Sequence, residues 1–224
     1  MEPYEFDNYW IQRGKGYLME FQNHPRAITR FRKKHEKLIL DVLGAQKPFK
    51  SVLEVGCGFG RITRLILATF PDIEKYTAID ISPDQIRNAK HIANSPLVEF
   101  QIINYEDMDW ELNEFDIVLS VELLMHIPPE RVGMYLSKMV LQAKKAVVNA
   151  DWYDDNKVGE CKGGYCFIHP YKELYNTNEC TFDDYSLDRG HVYALEFGKS
   201  TGLWFKRFRA ENNHVFVAKK EMNE

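Results

Sequence analysis

A glycine-rich turn between a short apolar run and a helical run constrains the fold of this chain most tightly. The run Ser51–Val55 is too short for a buried helix and predicts a strand. Gly56, Gly58 and Gly60 follow it directly, and a helix is predicted from Arg61 to Phe70. Glycines allow a tight turn and let the backbone approach a ligand without obstruction by a side chain. The unit therefore predicts a ligand site at the tip of this strand.

The alternation of strand and helix continues along the first 150 residues. Further strands are predicted at Lys75–Ile79, Val98–Ile103, Phe115–Ser120 and Ala146–Ala150. Helical spacing runs from Ile28 to Leu43 and again after Pro128 and Pro129, and Ser82-Pro83-Asp84-Gln85 has the capping pattern that opens a helix. Five such alternations predict a parallel sheet that is covered by helices on both faces.

Two acidic residues make the glycine turn more specific. Glu54 lies two places ahead of the first glycine, and Asp80 ends the second predicted strand, where a carboxylate can accept hydrogen bonds from ribose hydroxyls. With LEVGCGFGR and AIDIS, the segment from Ser51 to Ala150 resembles the class I S-adenosylmethionine-dependent methyltransferases. Dinucleotide-binding oxidoreductases space their glycines as G-x-G-x-x-G, and Arg61 after the third glycine disfavours that alternative.

The resemblance implies one Rossmann-like, doubly wound α/β domain over residues 1–224. Its sheet would have seven mostly parallel strands and an antiparallel edge hairpin. Residues 1–45 would form an N-terminal lid and helix, 51–150 the cofactor-binding core, 151–190 an irregular substrate-pocket insertion and 191–224 the edge strands. The tail offers three candidate strands, of which at least two are expected to pair antiparallel: Val192–Phe197, Leu203–Phe208 and His214–Ala218.

The resemblance also implies which residues bind S-adenosylmethionine. The three glycines would lie beneath its methionine part and sugar, Asp80 would hold the ribose, and Ile81 would pack against the adenine. Asn104, followed by Tyr105, stands where the family usually has an acid near the adenine amine, so its amide oxygen would accept from that amine. Glu122 would contact the amino-acid end of the cofactor, as the segment Ser120–Glu122 resembles the one that does so in the family. Glu54 and Tyr105 are further candidates for binding the cofactor.

The aromatic N-terminal segment resembles the variable lid that many family members fold over the cofactor. In that interpretation Arg13 would pair with the carboxylate of the cofactor and Tyr17 would close the pocket. A peripheral aromatic cluster is the alternative for the same residues.

Residues after the fourth and fifth strands are the candidates for catalysis. His126 is the leading base because an imidazole titrates near neutrality, Asp151 could orient an acceptor, and His169 could act as a second base. A packed, hydrogen-bonded histidine at a helix start is the alternative for His126. Phe167–Tyr171, taken with the run NADWYDD, resembles methyltransferases that modify sugars and polysaccharides. The predicted acceptor is thus an oxygen or nitrogen of a small molecule, such as a sugar or nucleotide sugar.

Composition restricts the partners and the location. The net charge of −4 gives no general attraction to nucleic acid or to an anionic membrane. The sequence shows no signal peptide and no apolar stretch of membrane-spanning length, so a cytoplasmic protein is expected. Free thiols and no bound metal are expected, with a zinc site as the alternative for the C-x4-C-x2-H-x10-C spacing of Cys161, Cys166, His169 and Cys180. The oligomeric state stays open.

Two other functions remain compatible with these motifs. The acceptor could be a protein or an RNA. If it is an RNA, its binding would weaken steeply with added salt. The chain could instead be a relative of the family that binds the cofactor without turnover. Its affinity for the cofactor would then be unaffected by substitutions at His126 and Asp151.

Overall fold

The computed structural model describes residues 5–23, 26–109, 111–178, 180–186, 191–197, 203–209 and 213–220. The helices are α1 (Phe6–Gln22), α2 (Arg26–Gly44), α3 (Arg61–Thr69), α4 (Pro83–Ala93), α5 (Pro129–Gln142) and α6 (Tyr171–Thr177). The strands are β1 (Ser51–Val55), β2 (Lys75–Asp80), β3 (Val98–Ile102), β4 (Phe115–Val121), β5 (Ala143–Trp152), β6 (Cys161–Lys162), β7 (Cys166–Phe167), β8 (Cys180–Ser186), β9 (His191–Phe197), β10 (Leu203–Arg209) and β11 (Asn213–Lys220).

The main sheet has seven strands in the order β3-β2-β1-β4-β5-β11-β8. Strands β1 to β5 pair in parallel, and β11 pairs antiparallel with both β5 and β8. The strand order reverses between β1 and β4, and ligands of such sheets bind at this point, beyond the carboxyl ends of the strands. The predicted fold class, a doubly wound and mostly parallel seven-stranded sheet, is confirmed.

The edge of the sheet is built differently from the prediction. Strands β9 and β10 do pair antiparallel, but they form a separate two-stranded sheet, and β11 pairs instead with β8. Strand β8 lies in the segment that was expected to be irregular, which also contains α6 and the short β6–β7 pair. Of the residues of β8, only Cys180 is buried, so an edge strand of this kind has no apolar alternation to detect. Residues 198–202, 210–212 and 221–224 of the predicted tail, and residues 187–190 of the predicted insertion, lie outside the described residues.

Helix α1 was not predicted, because only Phe6 and Gly14 of its residues are buried. The helix packs across α4, and Gly14 is the point of closest approach. A Cβ atom added at Gly14 would lie 2.1 Å from Ser82 Oγ, and this hydroxyl caps α4 by accepting from the Gln85 amide. Close contact at one glycine fixes the helix without the periodic apolar stripe that sequence patterns reveal.

The two faces of the sheet carry separate apolar cores. Leu53 and Val55 of β1 face the core under α5, whereas Val52 packs with α2 and α3 on the opposite face. This alternation follows from the two-residue period of a strand, and it places Glu54 on the α3 side with Val52. In the described part of the chain, no helix combines the length and the apolarity that a membrane crossing requires.

We predict that Gly14→Ala destabilises the protein by about 1–3 kcal/mol, the usual cost of forcing extra atoms into a packed contact. Gly16→Ala is the matched control on the same helix, because its nearest new neighbour would be Glu20 Oε1 at 3.8 Å. The control should gain about 0.5–1 kcal/mol from helix propensity. Urea unfolding of both variants measures the difference, and equal stabilities would show that α1 does not pack on α4 as described.

Candidate active site

A cavity opens at the carboxyl ends of β1, β2 and β4 and is covered on one side by α1. Its empty volume, including the open mouth, is about 1010 Å³. The described residues that line it come from the glycine turn, the ends of these strands and α1: Phe6, Trp10, Tyr17, Phe21, Glu54, Val55, Gly56, Cys57, Gly58, Phe59, Arg61, Ile62, Ile79, Asp80, Ile81, Gln85, Ile103, Asn104, Tyr105, Val121, Glu122, Leu123, His126 and Tyr135. Most of the predicted site residues are therefore brought together here.

The glycine turn is held against the neighbouring strand by backbone hydrogen bonds. The amides of Gly56 and Cys57 both donate to the Ile79 carbonyl at 2.9 Å. Gly60 has φ of +80°, and a Cβ atom there would lie 2.9 Å from the Cα atom of Ala89, so a side chain would separate α3 from α4. Gly58, at φ +54°, lines the cavity and would meet no atom within 4 Å. The turn thus leaves open space above Gly58, as close approach of a ligand requires.

Asp80 is fixed at the end of β2 by two backbone amides. Its Oδ2 accepts from the Gly58 amide at 2.9 Å, and its Oδ1 accepts from the Ser82 amide at 2.8 Å. Each carboxylate oxygen has a further lone-pair site, which suits a pair of ribose hydroxyls. Burial raises the pKa of Asp80 to about 6, although both amide hydrogen bonds act to lower it.

Glu54 braces the turn from beneath. Its Oε2 accepts from Thr63 Oγ1 at 2.5 Å and from the Tyr76 hydroxyl at 2.7 Å, so β1 is tied to α3 and to β2. The side chain is buried, and this burial raises its pKa to about 7. The predicted contact of Glu54 with the cofactor stays a prediction, because these hydrogen bonds describe a supporting role under the cavity floor.

Two isoleucine side chains and the turn that contains Asn104 and Tyr105 form the side of the cavity where adenine is predicted to bind. Ile81 and Ile103 line it together with Asn104 and Tyr105. Asn104 Oδ1 already accepts from the Glu106 amide at 3.1 Å and from the Tyr135 hydroxyl at 3.2 Å. An adenine amine would therefore have to share this oxygen, and the predicted role of Asn104 stays untested.

Lys138 holds the same turn in place and was not foreseen from the sequence. The buried ammonium of Lys138 donates to the carbonyls of Tyr105, Glu106 and Met108, the last at 2.8 Å. Burial lowers the pKa of Lys138. A lysine on an otherwise ordinary helix gives no sequence signal for this role, because its acceptors are carbonyls that lie about thirty residues away in the chain.

An ionic cluster lies at the opposite end of the cavity, where the amino-acid part of the cofactor is predicted. Arg61 donates to Glu122 Oε2 at 3.1 Å and to Glu36 Oε1 at 2.8 Å. Burial alone would raise the pKa of Glu122, but the positive charges led by Arg61 outweigh it and lower the pKa. Glu122 also has φ of +54°, with its amide bound to the Ala150 carbonyl at 2.7 Å. A non-glycine residue in this conformation is a strained position of the kind found at binding sites.

Arg61, and not Arg13, is the guanidinium that lines the cavity. Arg13 makes a two-pronged pair with Glu20 at 3.0 and 2.7 Å on its own helix and does not line the cavity. Tyr17 does line it, with its ring centroid 6.2 Å from that of Phe59, and burial raises its pKa. The position of Arg61 immediately after the third glycine was the sequence signal that could have identified it.

His126 lines the cavity from the short 3-10 turn Leu124–His126 that follows β4. Its Nδ1 lies 2.8 Å from the Tyr165 carbonyl, so this nitrogen carries the proton and Nε2 has the lone pair. Burial lowers the pKa of His126 to about 4. The expectation that this imidazole titrates near neutrality is therefore wrong: it is neutral at pH 7 because the protein removes it from water.

Asp151 and His169 are buried behind this turn and do not line the cavity. His169 Nε2 donates to the Leu124 carbonyl at 2.9 Å. The Asp151 carboxylate accepts from the Tyr171 hydroxyl at 3.1 Å and from the Met125 backbone amide, and burial raises its pKa to about 6. The two side chains thus hold the turn that carries His126. Their predicted catalytic roles remain predictions that this geometry does not favour.

The cysteines provide no metal centre in the described part of the chain. Cys57, Cys161, Cys166 and Cys180 are free thiols, and the described residues contain no group of three or more ligands able to hold a metal ion. The imidazole of His169 is directed at a backbone carbonyl and not at the thiols.

A comparison of this chain with known protein families agrees with the geometry of the cavity. Residues 52–145 match the family described as methyltransferase domain. This segment is similar to a methyltransferase domain, and it spans less than half of the chain. The match includes the glycine turn, Asp80, Glu122 and His126, and it confirms the class I methyltransferase resemblance drawn from LEVGCGFGR and AIDIS.

Known proteins resemble the same segment of this chain. A malonyl-[acyl-carrier protein] O-methyltransferase of Acetivibrio thermocellus is 38% identical over 96 residues, which cover 42% of this chain and 33% of that protein. A 2-methyl-6-phytyl-1,4-hydroquinone methyltransferase of Synechocystis is 30% identical over 114 residues, or 50% of this chain and 35% of that protein. The match thus spans about a third of the length of each relative.

Solved structures share the fold over nearly the whole chain. The magnesium protoporphyrin IX methyltransferase of Synechocystis, solved with bound S-adenosylmethionine, superposes with a TM-score of 0.65 at 11% identity, covering 98% of this chain and 100% of that one. A complex of DhpI with S-adenosylhomocysteine gives a TM-score of 0.63 at 18% identity, covering 96% and 95%. At these identities the comparison establishes the shared fold alone.

We predict that affinity for S-adenosylhomocysteine falls as the pH is lowered through about 6, because protonation of Asp80 removes an acceptor for the ribose. Asp80→Asn should weaken binding about 10- to 100-fold at pH 8, the value of a hydrogen bond to a charged group, and should flatten the pH dependence. Calorimetric titration between pH 5 and 8 measures both effects.

Asp116→Asn is the matched control for this prediction. Asp116 also accepts from two backbone amides, those of Lys50 and Ser51 at 2.7 and 3.2 Å, but it lies at the opposite end of β4 from the cavity. The control should bind with the affinity and pH dependence of the unaltered protein. An unchanged pH dependence in Asp80→Asn would remove Asp80 from the binding site.

Proposed function

We propose that this chain binds S-adenosylmethionine in the cavity and transfers its methyl group to an oxygen or nitrogen of a small molecule. The observation that carries the proposal is the pairing of Asp80 with the Gly58 amide at 2.9 Å, beside the open space that the missing side chain of Gly58 leaves. This arrangement presents a carboxylate and a bare backbone to a ribose-containing ligand.

The residues present fit the cofactor along its whole length. Ile81 and Ile103 offer an apolar slot for adenine, Asp80 can accept from the ribose, and the Arg61–Glu122 pair offers both charges to an amino-acid group. When bound, S-adenosylmethionine supplies a methyl group that is already activated by its sulfonium. The chain therefore has only to hold the acceptor in line and to receive its proton.

His126 is the group that we assign to the proton. Its imidazole lines the cavity, and the 2.8 Å contact of Nδ1 with the Tyr165 carbonyl assigns the proton to Nδ1 and the basic lone pair to Nε2. The low pKa of His126 keeps that nitrogen unprotonated across the physiological range. A weak base suffices because the acceptor becomes strongly acidic as its bond to carbon forms.

Relatives named above act, by their names, on an acyl-carrier-bound malonyl group and on a hydroquinone, and these names support a small-molecule acceptor. The sugar or nucleotide-sugar acceptor rests only on the short resemblance of Phe167–Tyr171 and NADWYDD. For a protein or RNA acceptor, the charge of −4 and the acidic cavity give no electrostatic support.

We predict that the purified protein forms S-adenosylhomocysteine from S-adenosylmethionine when a small acceptor is present. His126→Gln should lower kcat by about 10²- to 10⁴-fold, the range for loss of a general base, while its affinity for S-adenosylhomocysteine stays within about threefold. Mass spectrometry over a panel of phenols, amines, sugars, nucleotide sugars, peptides and RNA measures the reaction. Tight cofactor binding without transfer to any acceptor would identify a non-catalytic relative instead.

A further inference from the structure

The end of the cavity beside His126 has an aromatic wall. The Trp10 ring lies against the His126 imidazole with 4.3 Å between centroids, and both residues line the cavity. Tyr9 packs edge-on against Trp10 at 5.1 Å and stacks on Tyr165 at 5.2 Å with an interplanar angle of 26°. Helix α1 and the β6–β7 hairpin thus meet over His126 through flat side chains, which favour a flat ligand.

This wall offers little to the hydroxyls of a sugar. Among the described lining residues, Trp10, Phe6 and Leu123 contribute apolar side chains. A sugar ring can stack on an indole, but each of its hydroxyls that meets an apolar side chain loses water without gaining a partner, which disfavours binding.

The charges around the cavity disfavour an anionic acceptor. Among its described lining residues the acids are Glu54, Asp80 and Glu122, and Arg61 is the only cation. Arg61 is already paired with two carboxylates at 2.8 and 3.1 Å, and the guanidinium of Arg13 outside the cavity is paired with Glu20. A carboxylate, phosphate or diphosphate on the acceptor would therefore find no uncommitted positive charge here.

A protonated amine is disfavoured for a different reason. The site is desolvated enough to keep the His126 imidazole neutral, and the cofactor brings a positive sulfonium of its own. An ammonium placed for attack would lie close to that sulfonium, and two positive charges repel strongly where the effective dielectric constant is low. A neutral hydroxyl whose oxygen becomes partly negative during attack is instead attracted by the same sulfonium.

We propose that the methyl acceptor is an uncharged, hydroxyl-bearing aromatic ring that packs on Trp10 and presents its hydroxyl to His126 Nε2. This inference rests on the proposed function and narrows it from small molecules in general to phenol-like acceptors. The phenolic oxygen forms a bond to the methyl carbon while the carbon–sulfur bond breaks and its electron pair stays on sulfur. The phenolic proton passes to His126 Nε2 and then to water, so the products are an aryl methyl ether, S-adenosylhomocysteine and a proton.

Binding to the complex with S-adenosylhomocysteine tests the inference without depending on turnover. The probes are catechol, hydroquinone, malonate and uridine diphosphate glucose, each titrated by calorimetry into protein saturated with S-adenosylhomocysteine. Catechol or hydroquinone should bind at least tenfold more tightly than the other two probes. Equal or tighter binding of any charged probe, or no binding of either phenol, would overturn the proposal.

Two variants on α1 locate the binding. Trp10→Leu should weaken phenol binding at least tenfold and leave affinity for S-adenosylhomocysteine within about threefold. Phe21→Leu is the matched control: its ring lies at the glycine-turn end of the cavity, 4.8 Å from that of Phe59, and should affect the cofactor and not the phenol. Phenol binding that is unaffected by Trp10→Leu would contradict the assigned site.

The outcomes separate this inference from the proposed function. Methyl transfer to an amine or a nucleotide sugar, with no affinity for phenols, would keep the methyltransferase and reject the aromatic acceptor. Failure to bind S-adenosylhomocysteine at all would reject the methyltransferase function itself.

Discussion

The hydrogen bond between the Gly58 amide and the Asp80 carboxylate is the interaction on which the site depends. Together with the two amides that donate to the Ile79 carbonyl, it ties the turn after β1 to the end of β2. The turn can take this course only because three glycines occupy positions with positive φ. The same bond orients the carboxylate, so the fold of the turn and the binding geometry have one physical origin.

Elements outside the parallel sheet then complete the cavity. Helix α1 reaches it because Gly14 allows close contact with the cap of α4, and this contact brings Trp10 and Tyr17 to the cavity wall. On the other side, Asp151 and His169 hold the turn that carries His126. Burial has a consistent electrostatic effect on these groups. It raises the pKa of Asp151 to about 6 and lowers that of His126 to about 4, because in both cases burial penalises the charged form.

Sequence patterns predicted the parts of the structure that depend on local chemistry. Strands β1 to β5, the glycine turn, the cap at Ser82 and the placement of Asp80 all follow from short-range signals of period, glycine spacing and capping. Helix α1 and strand β8 were not predicted, because they bury too few residues to show a hydrophobic period. The pair between Arg13 and Glu20 gave no sequence signal, and the predicted contact of Arg13 with the cofactor stays a prediction that this pair does not favour. The pKa of His126 depends on burial by α1 and the β6–β7 hairpin, which are distant in sequence.

The most direct test of the central claim is a calorimetric comparison of two ligands on folded protein freed of any copurified cofactor. The cavity geometry predicts micromolar binding of S-adenosylhomocysteine and no detectable binding of NAD. Dinucleotide sites space their glycines as G-x-G-x-x-G, whereas here Arg61 directly follows a G-x-G-x-G turn. Binding of NAD, or no heat with S-adenosylhomocysteine, would contradict the account and assign the glycine turn to another nucleotide.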